Sequence, residues 1–166
     1  MDCSEIKLRS IGIGALLILA TTTVPFLLFI NIIPFAGIII SGAVAAWYYI
    51  IMCQVRLSPS EAFVFSGITG ITGSVLSATA QFVLVELFDF YPGKETAVAL
   101  LEHSRTGSPE NDSVIDQMLE TLDAPLEMSI SAFIAAVVVR TIFFAPAAGL
   151  GGVMTVWWLK NRAKRK

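Results

Sequence analysis

Long uncharged stretches alternate with short polar ones along the chain. From Ile11 to Cys53 there is no Asp, Glu, Lys or Arg. One helix of that length would be about twice as long as a bilayer core is thick, so the chain must turn once within it. Asn31 and Pro34 are the turn residues this run offers, since proline lacks a backbone donor and keeps its predecessor out of the α region. The pattern predicts a helix over 10–33, a tight hairpin, and a second helix over 35–53. Trp47, Tyr48 and Tyr49 form an aromatic belt near the second helix's end.

Ser58-Pro59-Ser60-Glu61 reads as a helix start, with Ser58 as cap, Pro59 in the first position and Glu61 reaching back. It predicts a third apolar helix over 60–86. The segment 87–128 is polar and acidic, broken by Pro92, Gly93, Gly107, Pro109 and Pro125, and reads as an external loop with local helices. Within it Val114, Ile115, Met118, Leu119 and Leu122 recur at helical spacing, predicting a short amphipathic helix over 113–123. Its polar face is acidic and suits anionic lipid poorly, so it is expected to cap the helix bundle. The last stretch, 129–159, is apolar apart from Arg140 and longer than the roughly 20 residues a span requires. Pro146 before Ala147-Ala148-Gly149 predicts a kink there, with strong tilt or a partly extramembrane first half as alternatives.

The expected fold class is therefore all-α, an integral membrane helical bundle of about four transmembrane helices with a kinked last helix, in a single membrane domain over 1–166. Composition supports this. The 166 residues are 55% hydrophobic and 14% charged, with a mean hydropathy of +0.77. A soluble domain of this size still exposes roughly a third of its unfolded surface, and this chain has too little polar surface to cover that. The apolar run beginning at Ile11 exceeds the core of a signal peptide and reads as an uncleaved first span.

Charge sets the expected orientation. Lys7, Arg9, Arg56, Lys160, Arg162, Lys164, Arg165 and Lys166 fall on one side of a four-span layout, against Lys94 and Arg105 on the other. The excess of cations on cytoplasmic loops places both termini in the cytoplasm and 87–128 outside, in a multi-pass protein of the plasma (inner) membrane. Cys3 and Cys53 fall on the same side and, lacking a CxxC or Cys/His cluster, are expected as free thiols.

Few residues suggest chemistry. Arg140 stands in hydrocarbon-like sequence, where a guanidinium is costly and usually marks a partner or a pathway. Counting rises from Trp158 and from Ala62 brings Arg140 and Gln81 to similar depth, with Glu86 a turn above, so these three form a candidate outer polar cluster. The alternative is an arginine snorkelling to the interface. On the third helix Ser66, Gly70, Gly73, Ser74 and Ser77 share one face, and on the second Gly37, Ser41 and Ala45 make a matching small-residue row. Such rows allow close backbone approach and hydroxyl bonds between helices; the other use of such a face is a polar pore lining. His103 stands alone beside Glu102 and Arg105. With no Ser/His/Asp set, no paired membrane carboxylates and no HExxH pattern, no enzyme activity and no cofactor or metal is expected. The tail KNRAKRK is too short, and too poor in aromatics, to bind nucleic acid. It determines topology and could touch anionic lipid.

The stretch from Phe35 to Gln81 carries Gly37 and Gly42, aromatics, a short loop, then Glu61-Ala62 leading to Gly67-x-x-Gly70-x-x-Gly73. It resembles small prokaryotic polytopic membrane proteins of the domain-of-unknown-function type. That resemblance implies a bundle fold and carries over no functional residue. The expected partners are the lipid bilayer and either further copies of the chain or other membrane subunits. The expected role is a non-enzymatic accessory or scaffold subunit, with a small oligomeric transporter or channel as the alternative.

Overall fold

The computed structural model describes residues 2–24, 35–88, 94–105, 108–123 and 129–164. Among them are six helices and no strand: α1 (Cys3–Thr23), α2 (Ala36–Cys53), α3 (Pro59–Phe88), α4 (Lys94–His103), α5 (Pro109–Asp123) and α6 (Ile130–Ala163). Three of these, α2, α3 and α6, are long and apolar enough to cross a membrane.

The first helix departs from expectation at both ends. It starts at Cys3, taking in the polar residues Glu5, Lys7 and Arg9, and it stops at Thr23 rather than Ile33. Val24 is extended, at φ −80° and ψ 118°, because Pro25 follows it and the proline ring disfavours the α region for its predecessor. The helix therefore ends at the first proline, and the Asn31–Pro34 turn lies outside the described residues. From Ile11 to Thr23 α1 rises about 20 Å, short of a full bilayer core. Phe35, at a φ of 64°, leads into α2.

The start of α3 follows the local signal. The Ser58 N–H and hydroxyl both donate to Glu61 Oε2, at 2.7 and 2.8 Å, and the Glu61 N–H donates back to Ser58 Oγ at 3.3 Å. α6 continues without interruption through Pro146 and past Trp158 to Ala163, with Ser129 Oγ capping its start by accepting from the Ala132 N–H.

The four long helices form a ring in the order α1, α2, α6, α3. Neighbour relations fix the directions. Gly14 lies against Thr69, Ile18 against Gly73, and Thr22 beside Ser77, so α1 and α3 run parallel. Ser74 meets Thr141 while Phe82 packs edge-on to Phe133, so α3 and α6 are antiparallel. Gly151 abuts Ile39 and Thr155 donates to the Ala43 carbonyl, so α2 and α6 run parallel. Cys3, Cys53 and Lys160 thus share one end of the bundle. One core layer joins Ile18, Ile38, Ala147 and Ala148; another, nearer the cysteines, joins Ala45, Ala46 and Phe65, with Tyr49 stacked on Phe65 at 4.8 Å.

One expectation fails here. Cys3 and Cys53 are not free thiols; they are bonded, with Cα atoms 5.8 Å apart. Their shared side was legible, but only the antiparallel pairing of α1 with α2 makes neighbours of residues 50 positions apart. The amphipathic helix, which begins at Pro109 rather than 113, packs on α4. Ile115 on α5 is buried, and Arg105 pairs with Asp116 at 2.6 Å, an exposed ion pair that contributes about 0–1 kcal/mol.

Candidate functional site

Lipid is as apolar as leucine, so burying apolar side chains between membrane helices gains little, and close packing and hydrogen bonds hold such bundles. The tightest seams are glycine contacts. A Cβ at Gly42 would run into the Ala148 backbone, one at Gly151 into the Ile39 carbonyl, and one at Gly70 into the backbone of Phe144 and Ala145. Hydroxyls add bonds between helices: Ser66 Oγ on α3 donates to the Gly42 carbonyl on α2 at 3.0 Å, and Thr155 Oγ1 on α6 to the Ala43 carbonyl on α2 at 3.0 Å.

All eight residues of the two small rows are buried, but the rows do not zip onto each other. Ser41 and Ala45 face Gly14 on α1, Gly73 faces Ile18 on α1, and Gly70 faces α6. The α3 row is shared among three neighbours because α3 lies between α1 and α6 in the ring and also touches α2. Gly14, Gly42, Gly151 and Thr155 complete the seams and are absent from the sequence-derived rows. Gly151-x-x-x-Thr155 carries the small-residue spacing that could have found two of them.

At the end of the bundle remote from the cysteines, the packing face turns polar. Ser74, Ser77 and Gln81 succeed one another on α3 at three- and four-residue steps, facing Arg140 and Thr141 of α6 and Thr22 of α1. Ser74 Oγ lies 2.6 Å from Thr141 Oγ1. Arg140 Nη1 donates to Ser77 Oγ at 3.3 Å, and Nη2 donates to Gln81 Oε1. Ser77 Oγ is also 2.8 Å from Thr22 Oγ1, and Gln81 Nε2 reaches the Thr22 carbonyl at 3.5 Å. The hydroxyl of Ser77 is fully buried.

This cluster has a physical reason at the stopped end of α1. The last carbonyls of a helix have no intrahelical donor, and the chain leaves α1 into a proline, which supplies none. Gln81 donates to one of these carbonyls, and Arg140 sets its positive charge near the negative end of the α1 dipole. Gln81 and Arg140 are therefore together, as depth counting expected. Glu86 is exposed farther along α3, and no ion pair joins it to Arg140. Thr22 and Thr141 were missed because the first stood mid-span in the expected 10–33 helix, and the second only matters once α6 is docked on α3.

The cluster offers donors and a fixed charge, and no nucleophile paired with a base. Among the described residues no three His, Cys, Asp or Glu side chains are placed to hold a metal ion, and His103 is exposed at the end of α4. Compared with known proteins, the chain matches no family model, no curated protein and no solved structure.

Proposed function

We propose that the chain is a four-span protein of the plasma membrane that acts through helix packing, as a homo-oligomer or as an accessory or scaffold subunit beside other membrane proteins, and that it catalyses no reaction. Its fourth span includes α1, and α6 bends at Pro146 to fit its length to the bilayer. The shared end of Cys3, Cys53 and Lys160 supports an even number of crossings. The basic residues Lys7, Arg9, Arg56 and Lys160 belong to that end, which supports a cytoplasmic placement of both termini. On this placement the Cys3–Cys53 bond lies at the cytoplasmic end of the bundle.

The observation that carries the packing role is the filled interior. Gly42, Gly70 and Gly151 bring backbones into contact on two sides of the ring, α2 with α6 and α3 with α6, and the hydroxyls of Ser41, Ser66 and Thr155 bond to carbonyls of the bundle itself. The small-residue face is used for closure inside one chain. A second reading, a small oligomeric transporter or channel, draws on the Arg140–Gln81–Ser77 cluster, because a guanidinium held at membrane depth can attract an anion.

Purification in mild detergent, with co-purifying chains identified and native mass measured, separates the two. A large heteromer, or an oligomer without flux in proteoliposomes, supports the packing role. A lone dimer whose flux falls in Arg140→Ala and Gln81→Leu overturns it.

A further inference from the structure

The end of the bundle that holds the cysteines also holds an open groove of about 420 Å³ between α2, the connection into α3, and the last turns of α6. Ile50, Val156 and Leu159 form its apolar floor, and Arg56, Lys160 and Lys164 stand around it. The cations come from segments far apart in sequence and are brought together because α2 and α6 run parallel and finish at the same level. All three are exposed, and none has an ion-pair partner among the described residues. No carboxylate is among the described residues lining the groove. Three like charges around one space repel one another, and an anion placed among them relieves that repulsion.

We propose that this groove binds the headgroup of an anionic phospholipid. The proposal rests on the four-span reading, with this end of the bundle at the cytoplasmic membrane surface. The rim and the floor ask for different halves of one molecule. A phosphodiester satisfies Arg56, Lys160 and Lys164, while acyl chains cover Ile50, Val156 and Leu159. A free phosphate would answer the charges and leave the apolar floor wet. The groove also lies at the level where amphipathic side chains mark the interface. Trp157 and Trp158 are exposed just before Lys160, and the Arg162 guanidinium sits 5.2 Å from the centre of the Trp158 ring. Basic pockets between membrane helices on the cytoplasmic side are where anionic headgroups are recognised.

The test is native mass spectrometry of the full chain in neutral detergent, titrated with phosphatidylglycerol or phosphatidylcholine. The expected result is preferential retention of phosphatidylglycerol. Each of Arg56→Gln, Lys160→Gln and Lys164→Gln weakens it about fivefold, and the three together weaken it about a hundredfold. Lys7→Gln with Arg9→Gln, at the same end but outside the groove, leaves it unchanged. Should the triple variant lose its helical circular dichroism melt, Lys164→Glu, at the residue that caps the end of α6, replaces it, with a loss larger than the fivefold of Lys164→Gln expected. Equal retention of the two lipids, or undiminished retention by the variants, overturns the proposal. So does displacement by millimolar inorganic phosphate, which would assign the groove to the free anion, or capture of an acidic protein without lipid preference. Alkaline carbonate treatment of membranes reads the underlying topology separately: a chain that is extracted refutes the membrane reading, whereas one that stays embedded without lipid preference refutes the groove alone.

Discussion

Arg140 on α6 donates to the Ser77 hydroxyl on α3 at 3.3 Å, and that hydroxyl lies 2.8 Å from Thr22 on α1. One buried serine thereby ties three helices at the place where α1 stops. Arg140→Met removes the donor and leaves Gln81 Oε1 without its partner. It is expected to lower stability by about 1–2 kcal/mol, the upper range for polar contacts between membrane helices. Arg140→Lys recovers less than half of this, since an ammonium cannot span both Ser77 and Gln81 as the planar fork does. Unfolding midpoints in mixed detergent and dodecyl sulfate measure both, and a methionine variant as stable as the parent would remove any structural role for the guanidinium.

The glycines differ in what surrounds them, so alanine should sort them. Gly151→Ala drives a methyl into the Ile39 carbonyl and is expected to cost about 1–3 kcal/mol, as overpacking does. Gly12 has nothing within 4 Å of a built Cβ, and Gly12→Ala is expected to be neutral or to stabilise α1 by up to about 1 kcal/mol. Thermal melts of the two variants should move in opposite directions or differ widely; similar shifts would contradict the seam geometry.

Cys3 and Cys53 close a loop with a sequence separation of 50 residues, and cross-links of that reach stabilise by about 2–4 kcal/mol. Purified in air, the chain should resist maleimide until reduced, and its melting temperature should fall on reduction. Cys53→Ser should expose Cys3 to immediate labelling. Full labelling of the parent chain without reductant would separate the ends of α1 and α2.

Orientation can be read with the same chemistry. In a chain carrying Cys3→Ser and Cys53→Ser, a cysteine placed at the exposed Leu100 of α4 should label from outside intact cells, and one restored at position 3 only after permeabilisation. Labelling of both from the same side would undo the even number of crossings.

Ser58→Ala removes the hydroxyl that accepts from the Glu61 N–H. A lost cap of this kind costs about 1 kcal/mol, so a modest fall in the unfolding midpoint with unchanged helix content is expected; no fall at all would mean that bilayer-embedded contacts alone hold the start of α3.

What could be read from sequence was local, or was a matter of depth. The Ser58–Glu61 box marks where α3 begins because its chemistry is complete within four residues. Arg140 and Gln81 could be matched because rise per residue is constant along any helix. The pattern set the end of α1 at Asn31 and Pro34 and passed over Pro25, although each proline keeps its predecessor out of the α region in the same way. α4 was given no bounds among the local helices of 87–128, because its apolar run around Val98 and Leu101 is short. The pairing of Cys3 with Cys53, and of Gly151 with Ile39, depends on which helices adjoin, and small-residue rows do not name their partner.

Along the seam between α1 and α3 the contacts Gly14 to Thr69, Ile18 to Gly73 and Thr22 to Ser77 all keep the 55-residue offset of the last pair, repeating every fourth residue. A surface notched at that interval has rest positions only four residues apart, about 6 Å. Sliding by less drives Ile18 against the ridges on either side of Gly73. Any motion of α1 past its neighbour must therefore be a ratchet, all of one tooth or none.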